Sequence, residues 1–215
     1  MKFSIFTIYR PFVQHFRGKR HERFLREVQP KRSDRVLDIG GYAAFWKNWP
    51  SFAAEIDCLN LHAQDYAHEG DPQPVRILVG DGCQLSFPDR SYDIAFSNSV
   101  IEHVGSWQRQ QAFAAEIRRV GKCLWVQTPA YECPVEPHFL APFVHFVPKS
   151  IRPWFVRWFT PWSWIQKPSD AQIHEMVETT RLLSRREMKE LFPDCRLLTE
   201  RLWGVFPKSY VAVRR

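Results

Sequence analysis

A chain of 215 residues with 45% hydrophobic and 25% charged content has room for one well-buried core and little more. No stretch approaches the ~20 consecutive apolar residues of a membrane-spanning helix, and the five cysteines contain no Cys-x-x-Cys pair, so neither a zinc site nor a disulfide framework is expected. The formal net charge of +7 raises nucleic acid as a partner, but much of it sits between Arg17 and Arg35, where a solvated helix face explains it and no aromatic-interleaved signature accompanies it.

The opening run Met1 to Arg10 is broken by Arg10 and has no small-residue cleavage site after it, so it reads as part of the mature protein. Residues 1–33 read as a helical cover. From there short apolar strands alternate with helical patterns, the mark of a parallel sheet covered by helices. Val36 to Ile39, ending in Gly40-Gly41, reads as the first strand, Ala54 to Leu61 as the second and Val75 to Val79 as the third, stopped by Gly80-Asp81-Gly82. Tyr92 to Ser97 and Cys123 to Gln127 read as the fourth and fifth, with a helix from Ser106 to Val120 between them.

Seven prolines and many aromatics between Tyr131 and Pro168 mark an insertion or lid, 131–168, rather than a sheet element. Within it Ile151, Trp154, Phe155, Trp158 and Phe159 recur at helical spacing, Pro153 sits in a first turn and Pro161 ends the helix. No Asp or Glu occurs from Pro137 to Ser169, whereas Lys149, Arg152, Arg157 and Lys167 do. The face formed by Trp154, Phe155, Trp158 and Phe159 packs on the sheet or on a second copy of the chain, or else rests on a membrane surface or covers a lipid-like ligand. Ser184 and Glu187 form a capping-box pattern for a helix to Leu191, and Arg196 to Arg201 and Ser209 to Val213 read as two last strands. The expected fold is a single α/β domain over 1–215. It is a Rossmann-like, doubly wound, seven-stranded, mostly parallel sheet with its ligand crevice at the carboxyl ends of the strands.

An acidic residue at the end of a first strand, followed by glycines, lets backbone approach a ligand; Asp38-Ile39-Gly40-Gly41 supplies this. Asp81 puts a carboxylate on the same rim, where it can accept from an amino group. The stretch Phe87-Pro88-Asp89-Arg90-Ser91-Tyr92-Asp93, with Glu102-His103-Val104 beyond the fourth strand, then resembles the class I S-adenosylmethionine-dependent methyltransferases, in the branch known as methyltransferase type 11. Gln127-Thr128-Pro129, Glu136-Pro137-His138 and the run from Leu191 to Val211 are similar to the same group, and the resemblance covers Asp34 to Pro148 well.

The resemblance implies S-adenosylmethionine as cofactor. Gly40 and Gly41 would line its methionine end, with Asp38 orienting the loop, and Asp81 would meet the adenine amine. Gly82 and Cys83 would give backbone contacts to the ring, and Ser97 and Asn98 would touch the methionine amino group. Glu102 and His103 would mainly position the next helix. The sequence departs from the family at Tyr42 and Ala44, where further glycines are usual, and at Asn60, where an acidic residue ends the second strand and takes the ribose hydroxyls. Asparagine lacks the charge-assisted bond. Asp57 lies on the opposite strand face, which leaves Asp65 as a nearby replacement.

Methyl transfer from a sulfonium needs alignment above all, and a base only where the acceptor is a hydroxyl. His138, His145 and His103 are the candidates, with His138 leading because it follows the fifth strand. No metal-ligand set is expected. The function this implies is methyl transfer to a small-molecule or lipid- or glycan-linked acceptor at oxygen, in the cytoplasm or at the inner face of its membrane. A non-catalytic accessory subunit on the same fold is the alternative. A nicotinamide-dependent oxidoreductase lacks its Gly-x-Gly-x-x-Gly turn here, and nucleic-acid methylation lacks an Asn/Asp-Pro-Pro-Tyr/Phe motif.

Overall fold

The computed structural model describes residues 18–46, 49–63 and 74–215. The opening run to Arg10 and Asp65 lie outside the described residues. A first helix, α1 over 18–28, leads into β1 (Arg35–Ile39), the short α2 (Ala43–Trp46), β2 (Glu55–Asn60), β3 (Val75–Val79) and β4 (Tyr92–Asn98). A 3₁₀ turn at Ile101–His103, α3 (Trp107–Val120) and β5 (Gly121–Pro129) follow. Seven strands form one sheet, in the order β3-β2-β1-β4-β5-β9-β8, where β8 is Arg196–Leu202 and β9 is Phe206–Arg214. β1 to β5 pair in parallel, and β9 is antiparallel to both β5 and β8. This is the doubly wound architecture expected.

Strand period sets the two layers, because successive side chains leave opposite faces of the sheet. From β1, Leu37 and Ile39 enter a core with Phe113 and Ile117 of α3 and with Met188 and Leu191 of α7 (Arg185–Leu191). Val36 faces the other way, into a core built from Phe24 and Val28 of α1, Trp46 of α2, Trp49 and Phe52. Every one of these side chains is at most 8% exposed. Helix α1 therefore covers the sheet, as the hydrophobic spacing of Phe24 and Val28 requires. Ser106 caps α3 by accepting from the Arg109 N–H, and the predicted capping box of Ser184 and Glu187 forms at α7.

The insertion after β5 has a core of its own. A two-stranded hairpin, β6 (Val135–Glu136) and β7 (Ala141–Pro142), is followed by a 3₁₀ turn at Val144–Phe146, α4 (Arg152–Phe159), α5 (Pro161–Gln166) and α6 (Asp170–Thr179). Phe139, Val144, Val156, Trp162, Ile173 and Val177 pack together there. Two readings change. Pro161 does end the run of α4, but it also opens α5 at the first helical position, where its missing N–H costs nothing and Thr160 caps the turn. The insertion's packing also runs past Pro168 into α6, whose amphipathic spacing falls after a proline and was not read as a helix. The aromatic face of α4 does not pack on the sheet: Val156 is the buried residue, while Trp154, Trp158 and Phe159 are 60%, 61% and 51% exposed.

Candidate active site

The carboxyl ends of β3, β2 and β1 lie side by side, and hydrogen bonds tie their loops together. The Gly40 N–H donates to the Leu59 carbonyl at 2.8 Å and the Gly80 N–H to the Asn60 carbonyl at 2.9 Å. Asn60 Nδ2 donates to the Gly41 carbonyl at 2.8 Å. Gly40, Gly41, Asn60, Asp81 and Gly82 thus share one rim. Gly40 has φ +77°, the left-handed region that glycine enters without strain, and a Cβ there would strike Val100. Gly41 must be glycine for a different reason: a Cβ would lie 1.7 Å from Asp38 Oδ2. The two glycines keep this turn low, and a ligand can approach its backbone.

The Asp38 side chain lies against Gly41 on the α1 side of the sheet, where its Oδ2 accepts from Trp46 Nε1 at 2.8 Å. Its Oδ1 is buried without a hydrogen-bond partner among the described residues. Burial pushes its carboxyl up to about 7, against the smaller downward pull of the Trp46 bond. Asp38 therefore ties the end of β1 to α2. Asn60 accounts for its own departure from the acidic pattern: the amide donates to a carbonyl, and a carboxylate cannot. Tyr42, at the second departure, is 68% exposed, so its ring stands outside the turn.

Asp81 is more constrained than the sequence suggests. Its Oδ1 accepts from the Cys83 N–H at 2.9 Å, and Arg109 on α3 pairs with both oxygens, at 2.9 Å to Oδ2. The Cys83 backbone bond and the Arg109 guanidinium, outweighing burial, hold its carboxyl below the usual range. The Cys83 thiol donates to the Arg109 carbonyl, and burial pushes it up to about 11, so it is a neutral thiol. Ser97 lies behind the rim: it is fully buried and its hydroxyl donates to the Ile39 carbonyl at 3.1 Å. Asn98 Oδ1 accepts from Arg20 of α1 at 2.9 Å. Arg20 also donates to Gln127 and, through two nitrogens, to Glu200 of β8. Along the chain Arg20 is one charge in a solvated run, because the carboxylate that engages it lies 180 residues away.

The three candidate bases separate. His145 donates through Nε2 to the Tyr131 carbonyl at 2.8 Å and lines a cavity of about 180 Å³ together with Tyr131, Glu136, Lys149, Arg152 and Arg181. Burial lowers its pKa. His103 and His138 come together, from the turn after β4 and the insertion after β5, with their Nε2 atoms 3.0 Å apart. Glu136, 1% exposed, holds His138 through Nδ1 at 2.6 Å and accepts from the Phe139 N–H at 2.8 Å. Burial alone would lower His138, but the hydrogen bond and charge of Glu136 raise it above the ordinary histidine value. His103 is lowered to about 4 by burial and by the neighbouring His138. Beneath them lies Glu102, wholly buried, with one oxygen accepting from Thr128 Oγ1 at 2.9 Å. Glu102 and His103 belong to the 3₁₀ turn and not to α3, which starts at Trp107.

The sheet order, the glycine rim and the paired histidines set what the chain can be compared with. Residues 37–123 match the family described as a methyltransferase domain. The match spans β1 through the start of β5, so the glycine rim, Asn60, Asp81, Ser97, Asn98, Glu102 and His103 fall within it, and His138 and His145 fall in the insertion that follows. No curated protein sequence matches the chain. Among solved structures, it is similar to an S-adenosylmethionine-dependent methyltransferase from Methanosarcina mazei (TM-score 0.53, 15% identity, 85% of this chain and 92% of that one). It is also similar to an N-methyltransferase from Bradyrhizobium japonicum (0.52, 11%, 92% and 94%). A third is the magnesium protoporphyrin IX methyltransferase from Synechocystis with bound SAH (0.55, 14%, 94% and 83%). At these identities the likeness is one of fold.

Proposed function

We propose that the chain transfers a methyl group from S-adenosylmethionine to an oxygen of a small-molecule or lipid-linked acceptor that enters beside His103 and His138. The observation that carries the reading is the line Glu136–His138–His103, placed where the loops after β4 and β5 meet. The residues of the glycine rim fit the cofactor: one turn whose two glycines are kept free of Cβ atoms by Val100 and Asp38, an amide at Asn60 and a part-exposed carboxylate at Asp81. When bound, the cofactor supplies an activated methyl on a sulfonium, so the protein's task is alignment and exclusion of water. Glu136 accepts the Nδ1–H of His138, which leaves the lone pair of its neutral ring on Nε2. That lone pair can take the proton of an acceptor hydroxyl, a step worth about 10²–10⁴-fold.

Calorimetric titration tests the cofactor: absence of heat and of any thermal shift at millimolar S-adenosylmethionine would remove the reading. Turnover is sought against a panel of hydroxyl, amine and thiol acceptors, and cofactor binding with no turnover across it would favour an accessory subunit instead. On the acceptor that reacts, His138→Ala should cut turnover at least about a hundredfold while leaving cofactor affinity unchanged. Unchanged turnover would take His138 out of the mechanism.

The exposed face of α4 supports the lipid-linked class of acceptor. Trp154, Trp158 and Phe159, with Phe155 half-buried beside them and Trp164 of α5 60% exposed, form an aromatic surface on the same insertion that carries His138. Lys149, Arg152, Arg157 and Lys167 flank it with no acidic residue between Pro137 and Ser169, a combination suited to an anionic membrane surface. Among the described residues no helix is long and apolar enough to cross a membrane, so contact would be peripheral.

A further inference from the structure

We infer that Glu102, His103 and His138 form a binding site for one divalent transition-metal ion. One donor atom from each lies within 4.8 Å of the others. The two Nε2 atoms face each other at 3.0 Å, close to the ~3.3 Å that separates two nitrogens each ~2.0–2.1 Å from a tetrahedral ion. Glu102 supplies the negative charge from below. Its Oε1 is buried with no hydrogen-bond partner among the described residues, while its other oxygen is anchored by Thr128. A carboxylate taken out of water needs a counter-charge or a full set of donors, and a cation at this point provides the first.

The surroundings are those of a ligand set. A metal-binding histidine keeps its second ring nitrogen on a carboxylate or carbonyl, which fixes the tautomer, and Glu136 does this for His138. The turn that carries Glu102 and His103 is pinned from both sides: the Arg181 N–H donates to the Glu102 carbonyl at 2.7 Å, and Gln110 Nε2 to the Ile101 carbonyl at 3.0 Å. Two imidazoles and one carboxylate without a thiol select zinc, manganese or iron(II) over calcium and magnesium, and leave coordination positions open to a substrate oxygen. The sequence gives no hint of such a set, because the second histidine lies 35 residues beyond the first.

An ion here takes the lone pair that His138 otherwise offers to a hydroxyl, and in its place lowers the pKa of an acceptor oxygen by coordination. That role rests on the methyl-transfer reading; metal binding itself does not. The test uses the full chain, stripped with a chelator and titrated calorimetrically with zinc and, to avoid the five cysteines, with manganese. One ion per chain at micromolar affinity is expected. His103→Ala and His138→Ala should abolish it and Glu136→Gln weaken it about 10–100-fold, with melting curves confirming folded protein. No binding of either ion, or equal binding by the His103 and His138 variants, overturns the site. Cofactor titration of the same stripped samples separates the two ideas: metal binding without cofactor binding sinks methyl transfer and spares the ion.

Discussion

Asp38→Asn should change how the stability of the protein depends on pH. The Asp38 carboxyl is 1% exposed and burial raises its pKa from 3.8 to about 7. Between those values the unfolded chain releases the proton and the folded chain keeps it, so the unfolded state binds fewer protons and stability falls as pH rises. The contribution is fully present below 3.8 and is lost by about pH 7. A difference of about three units at 1.36 kcal/mol each makes the loss about 4 kcal/mol. Asparagine keeps an oxygen for Trp46 but places a buried N–H where Oδ1 has no partner among the described residues, a penalty of about 1–3 kcal/mol that does not vary with pH. Urea unfolding followed by tryptophan fluorescence, on both proteins between about pH 4 and pH 8, isolates the term, since other groups cancel in the difference. The parent should lead at acid pH and lose that lead, or fall behind, near neutrality. Parallel curves would refute a buried, proton-holding Asp38.

Arg20→Ala leaves Glu200 buried without its cation, since the two side chains are 12% and 11% exposed, and should cost about 3–5 kcal/mol in denaturant unfolding. Adding Glu200→Gln should recover part of that loss, whereas an additive double variant would deny the pairing. Asn60→Asp restores the family's acidic residue but sets a carboxylate against the Gly41 carbonyl in place of a 2.8 Å hydrogen bond. It should lower stability by about 1–3 kcal/mol; a melting temperature at or above the parent's would count against the bond. For the aromatic face, the protein should sediment with anionic vesicles at low salt, and Trp154→Ala with Trp158→Ala should release it. Protein that stays wholly in the supernatant ends the membrane reading.

The layered sheet was legible because its signals are local. Strand β1 alternates between two cores, β3 stops at Gly80, and Ser106 and Ser184 announce their helices. The residues expected around a cofactor are only partly brought together. Gly40, Gly41 and Asp81 do gather on one rim, whereas Ser97 turns its hydroxyl inward and Asn98 is engaged by Arg20. Those partners are 58 and 78 residues away, a separation that no periodicity encodes. Helix α6 went unread because it follows Pro168 and buries little beyond Ile173 and Val177. The apolar spacing in α4 was real, but spacing alone does not say whether such a face meets protein or lies open.

The division of labour between sheet and insertion follows from where the histidines come from. His103 is held by the sheet through Glu102, Thr128 and the carbonyl contacts of the 3₁₀ turn, so its place is fixed whenever β4 and β5 are formed. His138 is placed by the β6–β7 hairpin, in which Glu136 accepts from both His138 and the Phe139 N–H, and Phe139 is itself locked into the core shared by α4, α5 and α6. The two rings therefore meet only when the insertion has folded against the sheet. The same insertion displays the aromatic face and lines the cavity next to Glu136. The glycine rim, by contrast, is built by the sheet alone. On the proposed reading, an acceptor entering beside His138 meets the insertion, so a change in the insertion's sequence should alter acceptor choice without disturbing the turn at Gly40 and Gly41.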